Sequence, residues 1–157
     1  MDEKLLASVT ENYGRVSADL LEPLLEFLAA ANRTSDGDID KLMIMIVVGL
    51  RSLAHPVFKH RRMRDVAAGG GVIPTLGINS RSISESLPIP RESVRRKVTA
   101  LIEAGWLHRE NGHLHLTATG LSALTPVRQR IQRLAVSNYE TVAALRRLLE
   151  SEARASA

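Results

Sequence analysis

The chain has 157 residues, of which 45% are apolar, 24% charged and 3% aromatic, and it contains no cysteine. This composition is typical of a globular domain with an aliphatic core, and it excludes disulfide scaffolds and thiolate metal sites. Residues 1–50 hold four Lys and Arg against nine Asp and Glu, whereas residues 51–133 hold fourteen against five. The uneven charge indicates either a polyanionic partner for the middle of the chain or a solvated basic face.

The N-terminal segment opens with charged residues and lacks the apolar core of a secretory signal. The longest apolar run, residues 42–50, is far shorter than the roughly 20 residues that span a bilayer. We therefore expect a cytoplasmic protein that does not enter a membrane. The sequence contains no paired-carboxylate motif, nucleophile elbow or His-Glu-x-x-His, so we predict neither an enzyme nor a bound cofactor.

Apolar residues at helical spacing predict a first helix over 15–32, in which Pro23 marks a kink or a late start. A second helix is predicted over 39–54, apolar on nearly every side and therefore buried on most faces. Its two methionines, Met43 and Met45, belong to the core or line a pocket for a small-molecule effector.

A basic stretch at 59–64 and three glycines at 69–71 follow the second predicted helix. The basic stretch contacts a nucleic-acid backbone or is a charged loop, and the glycines indicate a hinge or wing-like loop. Near the end of the chain, residues 126–150 carry an apolar stripe and predict a long helix with Pro126 in its first turn.

Residues 80–104 predict two short helices joined by a proline turn. Ser80 is expected to cap a helix over 81–87, which Pro88 ends. The second helix opens at Pro90 and runs over 91–104, where its apolar residues recur at core-facing spacing. Its outer half carries arginine, carboxylate and hydroxyl groups, which indicates a helix-turn-helix whose second helix recognises DNA.

A hairpin is predicted directly after this recognition helix. Gly105 ends the helix, and Asn111-Gly112 is a strong signal for a two-residue turn between strands. The wing is assigned to residues 108–116, and Trp106 is expected to pack in the core beneath it. Helix, turn, helix and hairpin together predict a winged helix-turn-helix, so the fold class is mainly α with a small β-hairpin wing.

Two segments of this region resemble the winged-helix regulators of the MarR family. PRESVRRKVTALIEAGWL is similar to their recognition helix, and EAGWLHRENGHLHLTATG to the end of that helix, the wing and its Leu-Thr-x-x-Gly exit. The wing tip departs from the Asp-x-Arg of the family, because it is ENGH at 110–113 with Arg109 before it. The resemblance implies a bacterial-type transcriptional regulator that dimerises through its N- and C-terminal helices.

The predicted function is therefore sequence-specific binding of double-stranded DNA by a homodimer. The alternative is a winged-helix module for protein-protein contact, without DNA binding. Residues 1–58 are assigned to an N-terminal helical region, 59–121 to the DNA-binding region and 122–157 to a C-terminal dimerisation helix, all in one compact domain. The expected DNA contacts are Ser80, Arg81, Arg91, Glu92, Ser93, Arg95, Arg96, Lys97, Thr99, Arg109, Asn111 and His113.

Three histidines near the wing raise the question of a metal site. His113 and His115 are two residues apart and share one face of a strand, and His108 is close in the hairpin. Because further carboxylates at ligand spacing are missing beyond Glu110, we predict no metal and expect surface histidines near DNA phosphates instead.

Overall fold

The computed structural model describes residues 3–56, 73 and 76–155. These residues form mostly helices and one small hairpin, which confirms the coarse fold class. The elements are α1 (Glu3–Glu11), α2 (Tyr13–Thr34), α3 (Ile39–Leu53), α4 (Ser80–Ser86), α5 (Arg91–Glu103), β1 (Leu107–Glu110), β2 (His113–Leu116), α6 (Ala118–Ala123) and α7 (Thr125–Ala155). Among the helices described, none combines the length and apolar character needed to cross a membrane.

The chain divides into two compact units. The first unit comprises Met1–Ala30 and Val127–Ala157, and the second comprises Ala31–Pro126. The predicted boundary between residues 58 and 59 lies outside the described residues, and the one between 121 and 122 falls inside α6. Helix α3, which the sequence assigned to the N-terminal region, belongs to the second unit.

The second unit is built around one aliphatic core to which α3, α4, α5 and the hairpin contribute. Its buried members are Ile44, Met45, Val48, Ile73, Ile78, Ile83, Ile89, Val94, Val98, Leu101, Leu107, Leu114 and Leu116. Trp106 packs against this core, as predicted, and Met45 is 1% exposed within it. The core role of Met45 is thereby confirmed, whereas an effector pocket stays a prediction.

Helix α3 is less buried than its composition suggested. It begins at Ile39 because the Asp38 side chain caps it by accepting a hydrogen bond from the Lys41 amide. One face enters the core, but Leu50 and Leu53 on the other side are 60% and 49% exposed. The predicted burial on most faces therefore holds where Leu42, Ile44, Met45 and Val48 are buried, and it fails on the face that carries Leu50 and Leu53.

The hairpin is a two-stranded antiparallel sheet. Leu107 pairs with Leu116 and Glu110 with His113, and Asn111 and Gly112 form the connection. Both connecting residues have positive φ, 49° and 79°, as a tight two-residue hairpin turn requires. The predicted Asn-Gly turn is confirmed.

In the LTATG segment that follows the hairpin, the spacing of threonine and glycine allows this segment to approach the start of the hairpin closely. Thr117 caps α6 by accepting from the Gly120 amide at 3.0 Å, while its hydroxyl donates to the Gly105 carbonyl at 2.6 Å. A Cβ on Gly120 would lie 2.2 Å from the Trp106 carbonyl oxygen, so only glycine fits there. Threonine and glycine three residues apart thus fasten α6 to the start of the hairpin.

The first unit contains α1, most of α2 and most of α7. Helix α2 begins at Tyr13 and runs through Pro23, so the late start allowed by the sequence is wrong. Helix α7 has Pro126 in its first turn, as predicted, and continues to Ala155. Arg15 pairs with Glu152 at 2.9 Å, which joins α2 to α7.

Candidate nucleic-acid interface

Helices α4 and α5 are joined by the short connection 87–90. Ile89 of this connection is buried in the core, and Pro90 is the N-cap residue of α5. Helix α4 starts one residue earlier than expected and its cap is Asn79, whose side chain accepts from the Ser82 amide at 3.0 Å. The prediction that Ser80 caps this helix is wrong, because Ser80 is the first helical residue.

Helix α5 has the two faces that its sequence predicted. Val94 and Val98 are fully buried and Leu101 is 2% exposed, so the inner face belongs to the core. Arg96 is exposed opposite this face, Arg95 is exposed at its flank, and Arg91 is exposed in the first turn of the helix. Because the inner face holds the helix in place, the arginines project from a rigid support rather than from a loop.

Glu92, in the outer half of α5, forms an ion pair with Arg95 at its flank. Arg95 donates Nε–H to Glu92 Oε2 at 2.9 Å and to Oε1 at 3.2 Å, and Nη2–H to Oε1 at 2.6 Å. The hydrogen bond from Arg95 is the main reason that the pKa of Glu92 lies below its ordinary value. Within the described chain, Arg91 and Arg96 form no such salt bridge.

Lys97 occupies a different place from the other cations of α5. Its side chain is only 12% exposed, and its ammonium donates to the two Asp38 carboxylate oxygens at 2.5 and 2.6 Å. Asp40 approaches the same ammonium at 3.3 Å. The sequence predicted Lys97 as a DNA contact at the flank of α5, but this geometry favours a role in joining α5 to the start of α3.

Two hydroxyl-bearing residues complete the predicted face of α5. Thr99 is exposed, and its hydroxyl donates to the Arg95 carbonyl at 3.1 Å, so the hydroxyl oxygen can accept from a partner and the methyl group can make an apolar contact with it. Ser93 is half-buried beside the exposed arginines. Both residues lie in the outer half of α5, where the sequence predicted hydroxyl groups.

The hairpin brings further predicted residues beside the start of α4. Arg109 donates through Nη2 to the Ser80 hydroxyl at 3.4 Å, which places the cation of β1 at the first residue of α4. Arg81 is exposed on α4 and pairs with Glu85 at 2.9 Å. Asn111, at the turn, is exposed.

His113 is exposed at the start of β2 and lies against Gly77. A Cβ on Gly77 would be 2.9 Å from His113 Nδ1, and Gly77 has a φ of +79°. Sequence reasoning missed this contact, although an isolated glycine before a helix is a signal for a close approach. Packing against Gly77 therefore explains the orientation of the His113 side chain.

The histidines of the hairpin share one face. His113 and His115 are two residues apart on β2 and therefore face the same side, and the register places His108 opposite His115 and Glu110 opposite His113. Within the described residues, no group of three or more His, Cys, Asp or Glu side chains has a geometry that could hold a metal ion. His115 Nδ1 is buried without a hydrogen-bond partner.

No protein-family model, curated protein or solved structure matches this chain. The similarity to MarR-type regulators therefore rests on the quoted residues alone and stays a prediction. The basic stretch at 59–64 and the glycines at 69–71 lie outside the described residues. The candidate interface consists of the outer face of α5, the first turn of α4 and the hairpin.

Proposed function

We propose that this protein is a sequence-specific DNA-binding transcriptional regulator of the winged helix-turn-helix type, acting as a homodimer. The observation that carries the proposal is the division of α5 into a buried aliphatic face and an exposed arginine face beside the hairpin. An α-helix fits the major groove of B-DNA, and arginine forms two parallel hydrogen bonds with guanine. The uneven charge of the sequence supplies the basic character that phosphate binding needs.

Each part of the candidate interface has a role in this proposal. Arg96, with Ser93 and Thr99, faces base edges, whereas Arg91 at the first turn of α5 contacts a phosphate. The hairpin lies along the adjacent backbone or minor groove, where Arg109 and Asn111 offer donors. Lys97 acts indirectly, because its contacts with α3 hold α5 in position.

The alternative function, a winged-helix adaptor for another protein, predicts a large exposed apolar patch on the same surface. The exposed large apolar side chains of the described chain do not include any residue of α4, α5 or the hairpin. Charged and polar groups cover this surface instead. The observation favours a polyanion over an apolar protein surface.

The test selects binding sites from a pool of random duplexes and then measures affinity for the selected site. We expect a pseudo-palindromic site, and we expect Arg96→Ala to weaken binding about 5- to 150-fold for each half-site, the range for one good arginine-base contact. Binding by the original protein should also fall steeply with salt, because arginines displace counterions from phosphates.

The matched control is Arg147→Ala, which removes an exposed arginine of α7 and the same positive charge. This control should remain dimeric in sedimentation velocity and should bind the selected site as the original protein does. Equal affinities of Arg96→Ala and the original protein would contradict recognition through α5. Failure of the original protein to enrich any sequence would contradict the function as a whole.

A further inference from the structure

The ion pair between Glu92 and Arg95 uses one particular edge of the guanidinium group. Arginine has five N–H donors in one plane. Glu92 takes the edge formed by Nε–H and the adjacent Nη2–H, with contacts of 2.9 and 2.6 Å. The end of the guanidinium, with one N–H on each Nη atom, stays available to another partner.

The available end of Arg95 matches one base. Two parallel N–H donors match the O6 and N7 acceptors of guanine in the major groove, whereas adenine presents a donor beside N7. The carboxylate of Glu92 fixes the plane of the guanidinium before DNA arrives, so less side-chain freedom is lost on binding. It also compensates the charge of Arg95, which weakens attraction to phosphates that carry no sequence information.

Other ion pairs within helices of this chain have a different geometry. Arg81 on α4 and Arg146 on α7 each contact a glutamate four residues later through a single Nε–H. Arg95 contacts a glutamate three residues earlier through two nitrogen atoms. Its side chain is nevertheless 66% exposed, so the guanidinium is both held and accessible.

We infer that Arg95, positioned by Glu92, determines specificity by recognising one guanine in each half of the DNA site. This inference rests on the proposed DNA-binding function, and it adds that the recognised base is guanine and that Arg95 and Glu92 are the residues responsible. Arg95 touches the base, and Glu92 acts through Arg95 as a positioning residue.

The experiment repeats the selection from random duplexes with the original protein, Arg95→Lys and Glu92→Gln. Arg95→Lys keeps the positive charge and removes the two parallel N–H donors of the guanidinium. The preference for guanine at one position of each half-site should therefore fall about 5- to 150-fold, while the base preferences at the other positions remain. Glu92→Gln should lower discrimination at the same position and raise affinity for unrelated DNA. Glu150→Gln, which removes an exposed carboxylate of α7 paired with Arg146, should leave the base preference unchanged.

The outcomes separate this inference from the function on which it rests. Guanine preference that Arg95→Lys leaves intact overturns the inference but leaves DNA binding in place. Loss of that preference in Arg95→Lys with full discrimination in Glu92→Gln overturns the positioning role of Glu92. The absence of any selected sequence with the original protein overturns both the inference and the proposed function.

Discussion

Lys97 joins two helices that are far apart in the chain. Its ammonium contacts Asp38, the cap of α3, and Asp40 in the first turn of the same helix. Burial raises the pKa of Asp38, but hydrogen bonding and charge from Lys97, with the Lys41 amide, outweigh it and lower the pKa overall. The hydrogen bond that Lys97 donates to Asp38 is the main reason that the pKa of Lys97 is raised.

We predict that Lys97→Met lowers the free energy of unfolding at neutral pH by about 1.5–3 kcal/mol, the range for a hydrogen bond to a charged group. Because the pKa of Asp38 is lowered in the folded state, its contribution is present above its ordinary value of 3.8 and lost as the pH falls through the folded pKa. Because the pKa of Lys97 is raised, its contribution is lost only as the pH rises above 10.5 and through the folded pKa.

Urea denaturation of the original protein and Lys97→Met should therefore show a difference that is constant near pH 7 and shrinks in acid below pH 3.8. The control is Lys4→Met, which removes an exposed lysine of α1 and should cost little at any pH. A difference that is zero at pH 7, or that stays the same in acid, would contradict the role given to Lys97.

At the scale of an element, helix α4 has two candidate N-cap residues, Asn79 and Ser80. Asn79 accepts from the Ser82 amide, whereas Ser80 is already helical. We predict that Asn79→Ala costs about 0.5–2 kcal/mol of stability, because a donor of the first turn loses its partner. Ser80→Ala should cost clearly less in the same thermal-unfolding measurement. The opposite order would place the cap at Ser80, as the sequence alone suggested.

The elements predicted correctly are those whose signals lie within the element itself. The spacing of Val94, Val98 and Leu101 gave the inner face of α5, and Asn111-Gly112 gave the hairpin turn. The sequence did not reveal that the N-cap of α4 is Asn79 and not Ser80, because asparagine and serine are both good N-cap residues and these two are adjacent.

Contacts between distant residues could not be predicted from the sequence. Lys97 and Asp38 are 59 residues apart, so no spacing rule joins them, and Lys97 looked like one more cation of the outer face. The same holds for Gly77 beside His113 and for Gly120 beneath the Trp106 carbonyl, which only the fold brings together. The face of a helix on which a residue lies can be predicted from its neighbours in the sequence, whereas the ion-pair partner of a charged residue cannot.

At the scale of the whole molecule, the first unit exposes many large apolar side chains. On α2, Leu21, Leu25 and Leu28 are 48%, 68% and 48% exposed and follow the spacing of one helical face. On α7, Ile131 and Tyr139 are 46% and 75% exposed. An apolar surface of this extent is typical of a contact with another protein chain, and the proposed homodimer supplies one.

We predict that Leu25→Glu converts the dimer to a monomer, because it replaces the most exposed leucine of the α2 face with a charge that the contact would bury. The dissociation constant should rise about 100-fold or more, since one buried leucine contributes about 1.5–3 kcal/mol and a symmetric dimer loses two of them. Sedimentation velocity over a concentration series measures this. Leu50→Glu on α3, 60% exposed in the second unit, is the matched control and should remain dimeric. A monomeric original protein, or dissociation by Leu50→Glu alone, would contradict dimerisation through α2.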